Sequence, residues 1–238
     1  MLITNHGDDV RAKIGKENII GTSSVKLLGI TIDNKLNFEE HVSNICKKVS
    51  LKLHALSRIA NYMSTNKLKL IMKAFIESQF GYCPLIWMFH SRQLNNKINK
   101  LQERALRIVY KDTYSTFDEL LRKDNSFTLH HKNLQKLATG MYKINNNLSP
   151  LLMDDIFPKS ENSYDIRINN PFQGYNIRTV KNGSETISFR GPKTWALVPD
   201  DIKNSKTIKQ FKAQIKNWRP DGCTCRLCKT FIYNLGFI

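Results

Sequence analysis

Acidic residues are scarce in this sequence. Its 238 residues include 20 Asp and Glu against 37 Lys and Arg, which gives a formal net charge of +17. An excess of this size favours a polyanionic partner, and nucleic acid is the first candidate. A soluble basic protein without such a partner is the alternative interpretation.

Long apolar runs are also lacking. The longest, from Cys83 to Phe89, is far too short to span a bilayer. Residues 1–4 show neither the charged region nor the apolar region of a secretory signal. The basic residues are spread along the whole chain, which argues against a membrane surface as partner. We expect an intracellular protein, nuclear or cytoplasmic, with no membrane partner and no evident small-molecule substrate.

Cysteine is rare too. The five cysteines are an odd number, with three clustered at the end, so they do not form a disulfide framework and indicate reducing conditions. Cys223, Cys225 and Cys228 have a spacing that suits zinc, but a closed structural site needs four ligands. His130 and His131 are the nearest upstream histidines, and we predict that both lie on a helix surface. The fourth ligand is therefore missing from this region. A ligand from an excluded or partner segment is one way to complete a zinc site, and a flexible thiol-bearing tail is the alternative.

The remaining pattern predicts an α+β fold that is mainly α. We expect a small antiparallel β unit at 1–36, a helical domain at 37–157, an irregular region with short strands and helices at 158–220, and a cysteine-containing tail at 221–238. Near the boundary between the β unit and the helical domain, the apolar pattern from Val25 to Ile32 predicts a buried strand. Asn37 is the predicted N-cap of the long helix that follows. In the irregular region, Ile177–Val180 and Thr186–Phe189 are predicted to pair as a hairpin.

A helix predicted after Ser91 has two stripes at 3–4 spacing. The apolar stripe, which we expect to be buried, consists of Leu94, Ile98, Leu101, Ala105 and Ile108. The basic stripe consists of Lys97, Lys100, Arg104, Arg107 and Lys111. Solvated helix faces commonly mix charges of both signs, and here Glu103 is the one interleaved acid, so a phosphate backbone is a candidate ligand. A solvated basic face without a ligand is the alternative.

Several sequence blocks resemble one enzyme family. They are L-L-G-I-T-I-D with L-N-F-x-x-H (27–41), E-S-Q-F-G-Y-C-P (77–84), E-R-A-L-R-I-V-Y (103–110), F-R-G-P-K-T-W (189–195) and C-T-C-R-L-C-K (223–229). In this order they resemble the region that follows the catalytic loop in reverse transcriptases of non-LTR (LINE-type, jockey-like) retrotransposons. The resemblance covers nearly the whole chain. It implies the end of a palm, a thumb and a post-thumb region.

The resemblance also implies a function. The intact family enzyme is a magnesium-dependent RNA-directed DNA polymerase whose Tyr/Phe-x-Asp-Asp loop binds two metal ions. The 238 residues contain no such motif, and we expect a C-terminal fragment that is inactive alone, has no catalytic residues, and binds RNA, DNA or an RNA–DNA hybrid through the basic stripe. Activity complemented by a separate palm domain is one alternative. A helical protein–protein interaction domain with incidental charge is the other.

Three further features receive structural interpretations. Asp8 and Asp9 follow Gly7 in a predicted hairpin loop, and Asp154-Asp155 lies near a helix end, so neither pair is predicted to bind metal. Cys83 lies in the most apolar segment and is predicted to be a buried thiol rather than a nucleophile. Trp87, Trp195 and Trp218 are predicted to be core residues.

Overall fold

The computed structural model describes residues 12–15, 17–19, 22–159, 171–174, 177 and 183–228. Within these residues the protein is mainly helical, with small antiparallel sheets near the N-terminus, so the predicted fold class is confirmed. The chain divides into two compact units. The N-terminal unit is Met1–Cys83 with His90–Ser126, and the C-terminal unit is Pro84–Phe89 with Phe127–Ile238.

Two antiparallel hairpins begin the N-terminal unit. The first pairs β1 (Ala12–Ile14) with β2 (Glu17–Ile19), and the second pairs β3 (Ser24–Leu27) with β4 (Ile30–Asp33). The prediction of one buried strand from Val25 to Ile32 is wrong. The chain reverses at Leu28 and Gly29, which both have positive φ (47° and 84°), as two-residue hairpin turns require. Of the strand residues in β3 and β4, Ile30 alone is buried.

Asp33 organises the turn between β4 and the first helix. One of its carboxylate oxygens accepts the backbone N–H groups of Lys35 (3.1 Å) and Asn37 (3.0 Å), and the other accepts that of Phe38 (2.6 Å). The helix N-cap is Phe38, with φ of 55° and no side-chain cap, so the predicted Asn37 cap is wrong. The carboxylate of Asp33 already accepts the amides that precede the helix.

The described part of the N-terminal unit continues with seven helical segments. The first five are α1 (Glu39–Ile59), a 3-10 helix (Ala60–Tyr62), α2 (Thr65–Ile71), a π-helical segment (Met72–Glu77) and α3 (Ser78–Gly81). The chain then passes through α4 (Pro84–Trp87) of the C-terminal unit and returns to form α5 (Arg92–Tyr110) and α6 (Phe117–Lys123). One apolar face of α1 is buried, including Val42, Val49 and Leu53, which are fully enclosed. In α5, Leu101 and Ile108 are only half-buried, and Leu106 and Val109 are buried in their place.

A buried ion pair joins α2 to the end of α6. The Lys69 ammonium lies 2.7 Å from the Asp124 carboxylate, whose side chain is only 1% exposed, and the Tyr110 hydroxyl donates to the same oxygen at 2.8 Å. Burial alone would raise the pKa of Asp124, but the hydrogen bonds from Lys69 and Tyr110 outweigh burial and lower the pKa below its ordinary 3.8. Asp124 is therefore ionised and paired.

The C-terminal unit is built around α7 (Leu129–Asn145), which Thr128 caps as its hydroxyl accepts the His131 N–H. The helices that follow are α8 (Leu152–Ile156), α9 (Ile187–Ala196), α10 (Asp200–Lys203) and α11 (Ile208–Ile215). Tyr142 of α7 stacks on Phe211, which stacks on Trp195. α7 therefore shares one core with α9 and α11 in the C-terminal unit.

The predicted hairpin strand Thr186–Phe189 is wrong, because α9 begins at Ile187 and continues through the buried Pro192. Its predicted partner lies mostly outside the described residues, at 178–180. Four residues of α9 around Pro192 are buried, namely Arg190, Gly191, Thr194 and Trp195. Burial of this face against α7 favours the helix over the strand that the local sequence indicates. Trp87, Trp195 and Trp218 are all buried in this unit, as predicted.

Substituting Lys69→Met will destabilise the N-terminal unit by about 3 kcal/mol, since it leaves the buried Asp124 carboxylate without its cation. Hydrogen exchange of α5 peptides measures this loss. Because the folded pKa of Asp124 is lowered, the stability that the pair adds is complete above pH 3.8 and is lost as the pH falls through the folded pKa. The exposed Lys67→Met is the control. Equal exchange in both variants would show that the pair adds nothing.

Substituting Gly191→Ala will destabilise the C-terminal unit by about 1–3 kcal/mol, because packed side chains must move. A Cβ there would lie 2.6 Å from Phe157 Cε1 and 2.8 Å from Met141 Sδ. Gly140→Ala is the matched control in α7, where a Cβ meets nothing within 4 Å and helix propensity favours alanine by about 1 kcal/mol. Urea unfolding followed by tryptophan fluorescence compares the two variants, and a Gly191→Ala protein as stable as the parent would contradict this packing.

Candidate functional site

Three cysteines lie together in the segment that follows α11. Cys223, Cys225 and Cys228 are 5%, 0% and 7% exposed, whereas Cys46 is half-buried and Cys83 is exposed. The prediction that Cys83 is buried is therefore wrong. Cys83 has positive φ (40°) and directly precedes the buried Pro84, so the chain turns it outward as α4 begins.

The cysteine segment is held by backbone geometry. The Cys223 N–H donates to the Pro220 carbonyl at 3.1 Å, and Gly222 between them has φ of 86°, which glycine adopts at little cost. The Cys228 N–H donates to Cys225 Sγ at 3.3 Å. This turn points the thiols inward, and the segment is therefore part of the packed unit rather than a flexible tail.

His130 lies against these thiols. Its side chain is 6% exposed, and its Nε2 is 3.2 Å from Cys225 Sγ across 95 residues of sequence. The prediction that His130 lies on a helix surface is wrong. The ligand atoms of His130, Cys225 and Cys228 all lie within 4.8 Å of one another, so these residues could hold a metal ion.

The sequence contains a signal for this position of His130. The apolar residues Leu134, Leu137 and Met141 recur at helical spacing in α7, and all three are buried. His130 precedes Leu134 by four residues, one helical turn, and so extends the same stripe. The spacing therefore indicates that His130 is buried. It does not indicate that His130 contacts Cys225, which lies 95 residues away in the sequence, and this contact is seen only in the tertiary structure.

Cys223 joins the cluster through the other two thiols. Hydrogen bonds from Cys225 and Cys228, together with the charge of the nearby His130, lower the pKa of Cys223 to about 2, although burial opposes the shift. The hydrogen bond to Cys223 raises the pKa of Cys225 to about 12, and contacts with both other thiols raise that of Cys228. The three thiols therefore influence one another's pKa, with the lowered value at Cys223 and the raised values at Cys225 and Cys228.

The surroundings of the cluster are apolar. Met88, Leu134 and Leu227 are buried with the cysteines, and Leu85, Phe89 and Leu197 pack against them. His131, next to His130 in sequence, is only half-buried, and burial lowers its pKa, with Cys223 and Asp221 opposing the shift. The chemically distinct feature here is a group of three thiols and one imidazole inside an apolar shell.

The basic stripe of α5 is largely exposed. Lys97, Lys100, Arg104 and Lys111 are all exposed. Arg107 is instead half-buried: it pairs with Glu103 at 2.7 Å and donates to the Asp112 carbonyl at 3.4 Å. Lys111 is the C-cap residue, with φ of 52°. We define the basic face of α5 as Lys97, Lys100, Arg104 and Lys111, without Arg107.

The two Asp-Asp pairs of the sequence were predicted not to bind metal. Asp8 and Asp9 lie outside the described residues, whereas Asp154 and Asp155 are exposed in the first turn of α8. Carboxylates in the first turn of a helix interact favourably with its N-terminal dipole, which is a structural reason for their position.

Among the helices in the described part of the chain, none has both the length and the apolar character needed to cross a membrane. Comparison of the whole sequence with protein-family models found no match, and neither curated proteins nor solved structures matched the chain.

Proposed function

We propose that this chain binds nucleic acid through the basic face of α5, as the thumb-side portion of a retroelement reverse transcriptase that does not itself carry out polymerisation. The observation that carries the proposal is the alignment of Lys97, Lys100, Arg104 and Lys111 on one exposed side of a helix whose other side is buried. The sequence blocks that resemble the LINE-type enzymes support the same assignment.

The dimensions of the face fit a phosphate backbone. From Lys97 to Lys111 the helix axis advances about 21 Å at about 1.5 Å per residue. Phosphates on one strand of a duplex are spaced by about 3.4 Å along its axis, so the face spans several of them. Contacts of this kind position a protein on a duplex without reading its sequence. Arg107 contributes less, because its guanidinium already pairs with Glu103.

The proposal excludes polymerase chemistry on the basis of the residues present. Two-metal catalysis needs carboxylates that hold both ions. The 238 residues contain no Tyr/Phe-x-Asp-Asp motif. A preference among RNA, DNA and the RNA–DNA hybrid does not follow from a face that contacts phosphates alone.

Protein binding is a second candidate function of the N-terminal unit. Leu70 and Phe75, on α2 and the π-helical segment, are 70% and 58% exposed, and Tyr62 is 88% exposed. Contiguous exposed apolar patches mark protein-binding surfaces, so the alternative requires these side chains to act together. In this alternative the charge of α5 is incidental, and binding to nucleic acid would be weak at every salt concentration.

We further infer that the metal suited to the cysteine cluster is zinc. Thiolate and imidazole are ligands that zinc prefers, whereas magnesium takes oxygen ligands. The inference is supported by the three buried thiols and by the imidazole within 4.8 Å of two of them. Magnesium would belong to the catalytic loop of an intact family enzyme.

A salt titration tests the nucleic-acid proposal. Binding to a labelled RNA–DNA hybrid should weaken as salt rises, because bound cations release counterions from the phosphates. The triple substitution Lys97→Ala, Lys100→Ala, Arg104→Ala should reduce the slope of log K against log salt by about 2–3, at about 0.7–0.9 per phosphate contact. Fluorescence anisotropy measures both slopes.

The control for this titration removes three exposed cations elsewhere in the same unit, through Arg58→Ala, Lys67→Ala and Lys73→Ala. It lowers the net charge equally but leaves the basic face of α5 intact. If both triple variants lose the same slope, the binding depends on net charge and not on this face. A parent protein with a slope near zero would contradict nucleic-acid binding altogether.

Metal analysis tests the zinc inference. Protein purified under reducing conditions should contain about one equivalent of zinc, and excess magnesium should not displace it. The double variant Cys225→Ser, Cys228→Ser should lose the zinc, while Cys83→Ser, which changes an exposed thiol, should retain it. Elemental mass spectrometry measures the content. Retention of zinc by the double variant would refute the assignment.

A further inference from the structure

We propose that His130 completes a closed four-ligand zinc centre with Cys223, Cys225 and Cys228, and that this centre fastens the segment after α11 to the start of α7. The proposal rests on the zinc inference above and adds the fourth ligand and a structural role. Neither follows from the cysteine spacing, which supplies three ligands within six residues.

The distances support His130 as the fourth ligand. With Zn–S of about 2.3 Å and Zn–N of about 2.0–2.1 Å, tetrahedral geometry places ligand atoms about 3.5–3.8 Å apart. His130 Nε2 is 3.2 Å from Cys225 Sγ, and the Cys228 sulfur lies within 4.8 Å of both. Cys223 is buried in the same apolar cluster and lies two residues before Cys225, but it is outside the group of ligand atoms that lie within 4.8 Å of one another. Three of the four ligands are therefore already close together, and the Cys223 side chain must move toward them for all four to surround one ion.

The neighbouring histidine is less suitable. Successive residues of a helix point about 100° apart, so His131 cannot occupy the direction of His130. His130 is 6% exposed and directed at a thiol, whereas His131 is half-buried. His131 is consequently a matched control on the same helical turn.

Burial indicates a structural rather than a catalytic site. Catalytic zinc sites keep one position open for water, whereas structural sites have four protein ligands. Each of the four proposed ligands is less than a tenth exposed, and an apolar shell encloses them. Zinc binding would release the thiol protons to solvent, and the two positive charges of the ion would offset two of the three thiolate charges in this apolar environment.

The fastening acts on the C-terminal unit as a whole. His130 and Cys225 are 95 residues apart, so a metal bond between them closes a loop that contains α8, α9, α10 and α11. A second contact holds the same segment, because the Arg226 N–H donates at 3.2 Å to Glu185, which also pairs with Arg190 of α9 at 2.6 Å. We infer that zinc stabilises this unit by restricting the unfolded chain.

Cobalt substitution tests the fourth ligand directly. Tetrahedral cobalt(II) bound to thiolates gives intense visible bands and a sulfur-to-cobalt charge-transfer band, so the full chain titrated with cobalt and then zinc reports both geometry and affinity. His130→Ala should weaken zinc binding by more than about 100-fold, since loss of even an outer-shell partner costs about 10–100-fold. His131→Ala should bind zinc as the parent does. His130→Cys should restore tetrahedral bands, shifted as a fourth thiolate requires.

The possible results distinguish the zinc assignment from the proposal that His130 is the fourth ligand. A parent protein that binds no cobalt or zinc would overturn both the zinc assignment and this proposal. A parent that binds zinc, together with an equally tight His130→Ala variant, would leave the zinc assignment intact and overturn the role of His130. If His130→Ala does not fold, the proposal depends on His130→Cys, and a folded His130→Cys without tetrahedral bands would overturn it.

Stability measurements test the fastening role. Trp87, Trp195 and Trp218 all lie in the C-terminal unit, so tryptophan fluorescence follows the unfolding of that unit. Removal of zinc by a chelator should lower its urea midpoint in the parent and in His131→Ala, and should have no effect in His130→Ala. Hydrogen exchange of α1 and α5 should stay unchanged. An unchanged urea midpoint in the chelated parent would refute the fastening role.

Discussion

The C-terminal unit depends on the burial of α7 on more than one side. Its residues Tyr142 and Met141 pack into the aromatic core with α9 and α11, while Leu134 and His130 face the cysteine segment. A helix buried in this way needs partners from distant parts of the chain. Its partners are the helices after residue 183 on one side and residues 223–228 on the other. The candidate metal centre lies where the second set of contacts begins.

In the N-terminal unit the long helices are buried on one side only. α1 and α5 each bury one stripe, and the buried Lys69–Asp124 pair joins α2 to the end of α6. With the inner stripe of α5 occupied by packing, its cations remain on the outside. The same amphipathic pattern that stabilises the unit therefore presents the charge with which we propose that it binds phosphates. Arg107 shows the limit of the pattern, because a neighbouring acid, Glu103, already pairs with it.

The sequence predicted the helices that follow Asn37 and Ser91, because helix signals are short-range. Ser91 is confirmed as a cap, since its hydroxyl accepts the Leu94 N–H.

Two predictions failed for local reasons. The Asp33 carboxylate accepts the backbone N–H groups that precede α1, where Asn37 was expected to cap the helix, and the turn at Leu28-Gly29 divides an apparent single strand. A third prediction failed for a tertiary reason, because burial in the core of the C-terminal unit favours a helix at Ile187–Ala196 over the predicted strand.

The sequence by itself determined the charge, the mainly helical fold class, the basic stripe and the three thiols with metal-ligand spacing, because these depend on residue type and on separations of a few positions. Only the tertiary structure decided that Cys83 is exposed and that His130 lies 3.2 Å from Cys225. The second of these joins residues 95 positions apart, a distance over which spacing carries no information. Their proximity is fixed by the packing of α7, which brings its buried stripe and the cysteine segment into one apolar shell.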